Sequence, residues 1–480
     1  SHDTSALRIL ENGSFFQNSE VFPRYGYVTA EQLIAPEVRK KFALPEQPRA
    51  NDLYDAEHYD SSIGESVLGI NDGYLNFEVI VSTSIEQIAI APGYLTRQWT
   101  ENDRAYFHYK MDKPIANYFA FFSGQYEIET AQHNGVDLAV YYHSPHGMNV
   151  QRIMQAMKDS LDFYSAQFGP YQHTQMRVVE FSGPDNFGQD FPTVIAYSEA
   201  SGFIHDQRNP DHNDQVYWFI AHEMAHQWWG AQLVGANVQG STVLSETLAQ
   251  YSAYALVQRT FGRQKVADML EYELDRYLRG RSRETISERP LIREENQAYL
   301  HYNKGAIVMM SLMELLGEDR LNKGLKTFLT TFKSEQSVYP TTIDLMKHIK
   351  QGASDYEVNV INDLFGEIYL YDIAITDTKI EKNENGEFLI TVRVNGLKHQ
   401  ADVHGKDQTI NLDEQFDIAL FNMQDDRLKQ TPLYLGKHRI RSGENIIRII
   451  SQTKPTFIRI DPFVHFIDRD ITDNYSSISF

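Results

Sequence analysis

The string His222-Glu223-Met224-Ala225-His226 constrains this chain more than any other feature of it. It lies in a stretch whose apolar residues Phe219, Ile220 and Leu233 follow a helical period. Residues four apart stack one turn above the other on a single helix face, so the two imidazoles converge on one point. That arrangement suits a divalent cation, with the intervening Glu223 beside it as general base. Catalytic zinc takes three protein ligands and keeps a fourth position open. With no cysteine in 480 residues, the third ligand has to be His, Asp or Glu. A carboxylate on the next helix is the natural source, and Glu246 in Leu244-Ser245-Glu246-Thr247-Leu248-Ala249 is placed for it after a connection containing Gly235 and Gly240. The expected cofactor is one Zn2+. The competing reading packs both histidines beside Trp228 and Trp229 in an aromatic core.

The remaining bulk properties narrow the function by exclusion. Lys and Arg number 44 against 65 Asp and Glu, a net charge of −21 that repels phosphate and argues against a nucleic-acid partner. No apolar run approaches the roughly 18 residues a membrane helix needs. The chain begins Ser1-His2-Asp3 without Met, which reads as a segment of a longer protein, so a membrane tether through a missing N-terminal region is an expectation. Oligomeric state is not written in these residues.

Patterning divides the chain into three. Residues 1–50 are mixed, with a turn at 22–26, and residues 75–128 alternate like strands, for example at 77–81 and 118–122, with turns at Gly93 and Asn102-Asp103. From Asn149 the period changes: Ile153, Met157, Leu161 and Tyr164 share a helical face that ends at Gly169-Pro170. Strands are expected at 176–181 and 193–197, then helices around 215–232, 243–260, 265–278, 303–316, 319–332 and 341–350. After Ile368 strands and turns return, including 388–394, 416–421 and 446–450. The fold class is multidomain α+β: an N-terminal β domain at 1–135, incomplete at its start, a mostly helical domain at 136–368, and a C-terminal β-sandwich at 369–480. His143-Ser144-Pro145-His146 reads as a surface loop because of Pro145 and its turn-forming neighbours, and His205 and His212 fall in a polar loop facing water.

Three motifs in order carry a resemblance. The run His222 to Gly230 (with Gln227-Trp228-Trp229), the run Leu244 to Tyr251, and Tyr302-Asn303-Lys304-Gly305-Ala306 followed by Leu315-Leu316-Gly317-Glu318 resemble the M1 family of zinc aminopeptidases, gluzincins related to aminopeptidase N. The likeness extends over about residues 70–480. It implies a thermolysin-like catalytic domain between the two β domains, a peptide substrate, removal of N-terminal residues, and Tyr302 stabilising the transition state. Two departures stand out. Nineteen residues, 227–245, separate the second His from Glu246, where the family usually has eighteen. The family's Gly-x-Met-Glu-Asn motif, whose Glu grips the substrate's amine, is replaced by Gly188-Gln189-Asp190-Phe191-Pro192. By position Asp190 is the substitute anchor, with Glu199 second, and 193–197 is the expected edge strand for pairing with the peptide. The pattern is also similar to divergent M1 domains fused to bacterial ABC-type permeases, which implies a bacterial source. The alternatives are a zinc endopeptidase, or a catalytically weak or inactive peptide-binding module of a membrane transporter assembly.

Overall fold

Local turn chemistry starts the architecture. Asn102 and Asp103 both adopt positive φ (49° and 60°), which short polar residues tolerate best, and they close the hairpin between β5 (Tyr94–Glu101) and β6 (Arg104–Lys110). The computed structural model describes residues 8–10, 13–23, 33, 36–45, 49–54, 66–67, 74–183, 186–209, 212–333, 339–422 and 431–478. Most of the expected turn at 22–26 lies outside them. The chain forms two compact units, residues 1–256 with 322–349, and 257–321 with 350–480.

In the first unit, β6 pairs with both β5 and β3 (Glu78–Ser84) in a three-stranded sheet. A second sheet has the order β1 (Arg8–Leu10), β2 (Gly13–Gln17), β7 (Ala120–Gly124), β4 (Ile88–Ile90). The third positions the candidate site. Its order is β11 (Gly188–Phe191), β12 (Val194–Ser198), β10 (Gln175–Phe181), β9 (Val136–Tyr142), β8 (Glu127–His133). Strands β9, β10 and β12 run parallel, and β10 and β12 are buried along almost their whole length, as a sheet covered on both faces requires. The crossover from β9 to β10 is the helix Val150–Gln167, which buries Ile153, Met157, Leu161 and Tyr164, the face read from its period.

This order corrects one expectation. The strand at 193–197 is not an edge: β12 lies between β10 and β11, with Asp190 opposite Ile195. The edge is β11. Alternation and β-branching mark a strand, but its place in a sheet depends on partners distant in sequence.

The second unit contains the helices Arg263–Ser282, Gly305–Leu316 and Asp355–Gly366. Its strands β13 (Tyr369–Lys382), β14 (Phe388–Ala401), β15 (Asp407–Ile410) and β18 (Gly443–Ser451) form one sheet. Strands β16 (Asp413–Phe421), β17 (Tyr434–Arg441), β19 (Phe457–Ile460) and β20 (Tyr475–Ser477) form another. Ile373, Val392 and Ile447 of the first share a core with Phe416, Ile418 and Ile458 of the second. Among the described residues no helix is long and apolar enough to cross a membrane.

Candidate metal centre

The helix Gln215–His226 begins where the Asp214 carboxylate accepts the amide of Tyr217, satisfying one orphan donor of the first turn. The helix is buried through His222, Glu223 and His226. Gly230, at φ 126°, then turns the chain back, and Ala231 N–H donates to the carbonyl of His226. Two fully buried indoles fix this corner. Trp228 Nε1 donates to Gly169 O at 2.8 Å, and Trp229 Nε1 donates to Ser252 Oγ at 2.9 Å, on the helix Glu246–Phe261. His226 therefore does sit beside Trp229, while His222 has Trp218 as its aromatic neighbour, and both imidazoles also face a carboxylate.

That carboxylate is Glu246, the first residue of its helix, where a negative charge is favoured by the backbone dipoles. The two Nε2 atoms of His222 and His226 are 3.1 Å apart. Glu246 Oε2 lies 3.4 Å from the first and 3.3 Å from the second. Ligands about 2.0–2.1 Å from a tetrahedral zinc are roughly 3.3 Å from one another, so the donor triangle has the right size. His226 Nδ1 is 3.0 Å from the carbonyl of Trp229, which can only accept, so Nδ1 carries a hydrogen and Nε2 is left to the cluster. The residues fit a zinc ion. The extra residue in the 227–245 connection is absorbed there without separating the ligands.

The electrostatics also call for positive charge. Burial, with the charge of His226 beside it, lowers His222; burial would lower His226 too, but Glu246, Asp190 and Glu223 together raise it well above the usual histidine range. Glu246 is held well below the carboxylate range: burial opposes this, and the two imidazoles override it. Glu223 is pushed up to about 8, first by burial and then by the neighbouring carboxylates of Asp190 and Glu246. A carboxylate that resists ionisation is a strong proton acceptor once ionised.

Asp190, on β11, is brought to the same place: one donor atom each from Asp190, Glu223 and His226 lie within 4.8 Å of one another. Gln227 Nε2 ties the strand to the helix end, 3.1 Å from Phe191 O and 3.4 Å from Asp190 Oδ2. Glu199 is elsewhere, in the turn Glu199–Phe203 beyond the far end of β12. Tyr302 belongs to the other unit, in the segment Tyr299–Lys304, half-buried and edge-on to His301 with ring centres 4.4 Å apart. One neighbour was missed in the sequence. Burial, followed by the carboxylates of Asp190, Glu223 and Glu246, raises the Tyr118 phenol well above its usual range, and its ring lies 4.8 Å from that of Phe191. Nothing local distinguishes Tyr118 from the other 27 tyrosines.

Residues 152–365 match the model of the peptidase family M1 domain. The chain is similar to endoplasmic reticulum aminopeptidase 2 of Homo sapiens, 27% identical over 221 residues, which cover 42% of this chain and 22% of that one. It is similar to aminopeptidase N of Canis lupus familiaris, 25% identical over 262 residues, 49% of this chain and 26% of the other. With leucyl aminopeptidase of Saccharolobus solfataricus it is 23% identical over 194 residues, 37% and 24% of the two chains. The matched part thus spans about a quarter of the length of these relatives. Residues 152–365, with the motif around His222 inside them, thus match a peptidase family M1 domain.

Proposed function

We propose that this chain hydrolyses peptide bonds as a zinc aminopeptidase, with His222, His226 and Glu246 holding one Zn2+. The observation that carries the reading is the pair of donor sets that share His226, one with His222 and Glu246 and one with Asp190 and Glu223, in which both histidines and Glu223 are buried and Glu246 and Asp190 half-buried. The domain reading goes with it: a thermolysin-like catalytic domain at 136–368, flanked by a β domain at 1–135 and a β-sandwich at 369–480. When bound, zinc supplies Lewis acidity toward the scissile carbonyl and toward water. Glu223 takes the proton of the attacking water and returns it to the leaving amine. The hydroxyl of Tyr302, assigned by its Lys304-Gly305-Ala306 motif, donates to the carbonyl oxygen as charge develops there. Edge strand β11 offers its outer main-chain groups to an extended peptide. Asp190, at the third position of that strand, binds the substrate's ammonium group; Glu199 is the second candidate for this role.

One observation favours a broader specificity. Asp190 is one carbon shorter than the glutamate it would replace, and Phe191 follows it where the family has Asn, so the grip on a free amine is weaker and an endopeptidase reading stays in play. A panel of aminoacyl fluorogenic substrates and their N-acetylated counterparts, assayed with and without chelator, separates the readings. Chelator-sensitive release from free-amine substrates only is the expected result. Cleavage of both sets indicates an endopeptidase. Binding without turnover, together with full zinc loading, would leave a peptide-binding module and reject the enzyme.

A further inference from the structure

A second set of metal-ligating side chains gathers away from this cluster, where β9 and β10 end. His143 follows β9 directly, and His146 comes three residues later in the 3-10 turn Ser144–Asn149. His143, with extended backbone, caps the turn, and the two imidazole centres lie 6.0 Å apart. Pro145 sets the first residues of the turn, and His146 N–H donates to the carbonyl of His143 at 2.8 Å. The expectation of a surface loop at 143–146 holds for Ser144 and Pro145, which are exposed, but His143 is buried and His146 partly so.

Between them stands Glu180, from β10, with no side-chain exposure at all. One of its oxygens is 2.5 Å from His146 Nδ1. The other accepts the amide of His143 at 2.7 Å and lies 3.3 Å from His143 Nδ1. One donor atom from each of the three residues lies within 4.8 Å of the others. The ring of Tyr126, 5.2 Å from that of His143, walls the group, and its hydroxyl donates to the carbonyl of Glu180 at 3.0 Å. A buried carboxylate needs a compensating positive charge. Among the described residues its ion-pair partners are these two imidazoles, with no lysine or arginine.

We propose that His143, His146 and Glu180 form a second divalent-cation site, taking a late first-row ion of zinc's class. Two imidazole nitrogens and one carboxylate suit zinc, whereas calcium and magnesium want more oxygens; on binding, the 2.5 Å hydrogen bond between His146 and Glu180 opens to the roughly 3.3 Å that separates zinc ligands. The His146 side chain is 21% exposed, which gives an ion its way in and leaves a position for water. The bound ion ties the connection after β9 to β10, a structural role that uses none of the residues of the first cluster.

The test is metal counting on the full chain, stripped with chelator, reloaded with excess zinc chloride and desalted. Two zinc ions per chain are expected in the wild type, one in His146→Ala, one in His222→Ala and none in the double variant. His146→Asn, which keeps a polar group beside Glu180 without an imidazole, should match His146→Ala and guards against misfolding. Because His222→Ala removes only the first site, failure of either assignment is seen separately. If His146→Ala holds as much zinc as the wild type, the second site is refuted. A loss of thermal stability in that variant with unchanged metal content shows an ion pair only, and equally overturns it.

Discussion

The hydrogen bond between Trp229 and Ser252 offers a way to test how the two ligand helices are locked. Ser252 Oγ accepts from Trp229 Nε1 at 2.9 Å and donates its own hydrogen to Leu248 O at 2.7 Å; both side chains are fully buried. In Ser252→Ala the indole N–H has no acceptor and no water. An unsatisfied buried donor costs about 1–3 kcal/mol, and full burial of Trp229 places the expectation near 2 kcal/mol. The Leu248 carbonyl keeps its helix partner, so its share is small. The carbonyl of Trp229 also orients His226, so zinc affinity should fall about tenfold, the lower end of what such outer partners contribute. Urea unfolding followed by tryptophan fluorescence, and zinc competition against a chelating dye, read the two effects. Trp229→Phe removes the donor, and in that background Ser252→Ala should be nearly neutral, giving a coupling of about 1–2 kcal/mol. A loss below about 0.5 kcal/mol that persists unchanged beside Trp229→Phe would refute the reasoning.

The other expectations are shorter. Glu223→Gln should retain zinc, measured by mass spectrometry, and abolish hydrolysis; unchanged turnover rejects the general-base role. Tyr302→Phe should reduce kcat by about two orders of magnitude with zinc intact, and a reduction under about threefold removes it from the mechanism. Asp190→Asn should raise KM for free-amine substrates and leave N-acetylated ones unaffected; equal effects on both sets contradict the anchor. In the second unit, burial pushes Asp461 up to about 6 from 3.8, although it accepts the amides of His465 and Phe466. A raised carboxyl destabilises the fold as pH climbs from about 4 to 6, because the unfolded chain ionises first. Asp461→Asn should therefore gain stability relative to wild type between pH 4 and pH 7, by at most about 3 kcal/mol; a difference independent of pH would contradict the shift.

The convergence of His222 and His226 was legible because it is local: a four-residue spacing places them on one face wherever the helix goes. Glu246 was legible through its helix start. The helix Asp355–Gly366 was missed although its signal was present, a capping box in which Ser354 and Glu357 satisfy each other's backbone amides. Sheet order was not legible, since β12 becomes interior only when β11 folds back across Thr193, whose φ is 64°. The proximity of Tyr118 to Glu223 depends on pairing across more than a hundred residues, and no periodicity records it. At 143–146 proline did mark an exposed turn, but the burial of His143 against Glu180 of β10 depends on a strand more than thirty residues away and was not legible.

The helix Glu246–Phe261 starts in one compact unit and finishes in the other, since the division falls between Leu256 and Val257. The chain returns to the first unit at Asn322 and leaves it again after Ile349. A recombinant fragment ending near residue 256 would truncate the very rod that presents Glu246, and would discard the returning segment 322–349. The first unit is therefore not obtained as a fragment by cutting at a single point, and proteolytic nicking within 250–260 should lower zinc retention even where both pieces stay together.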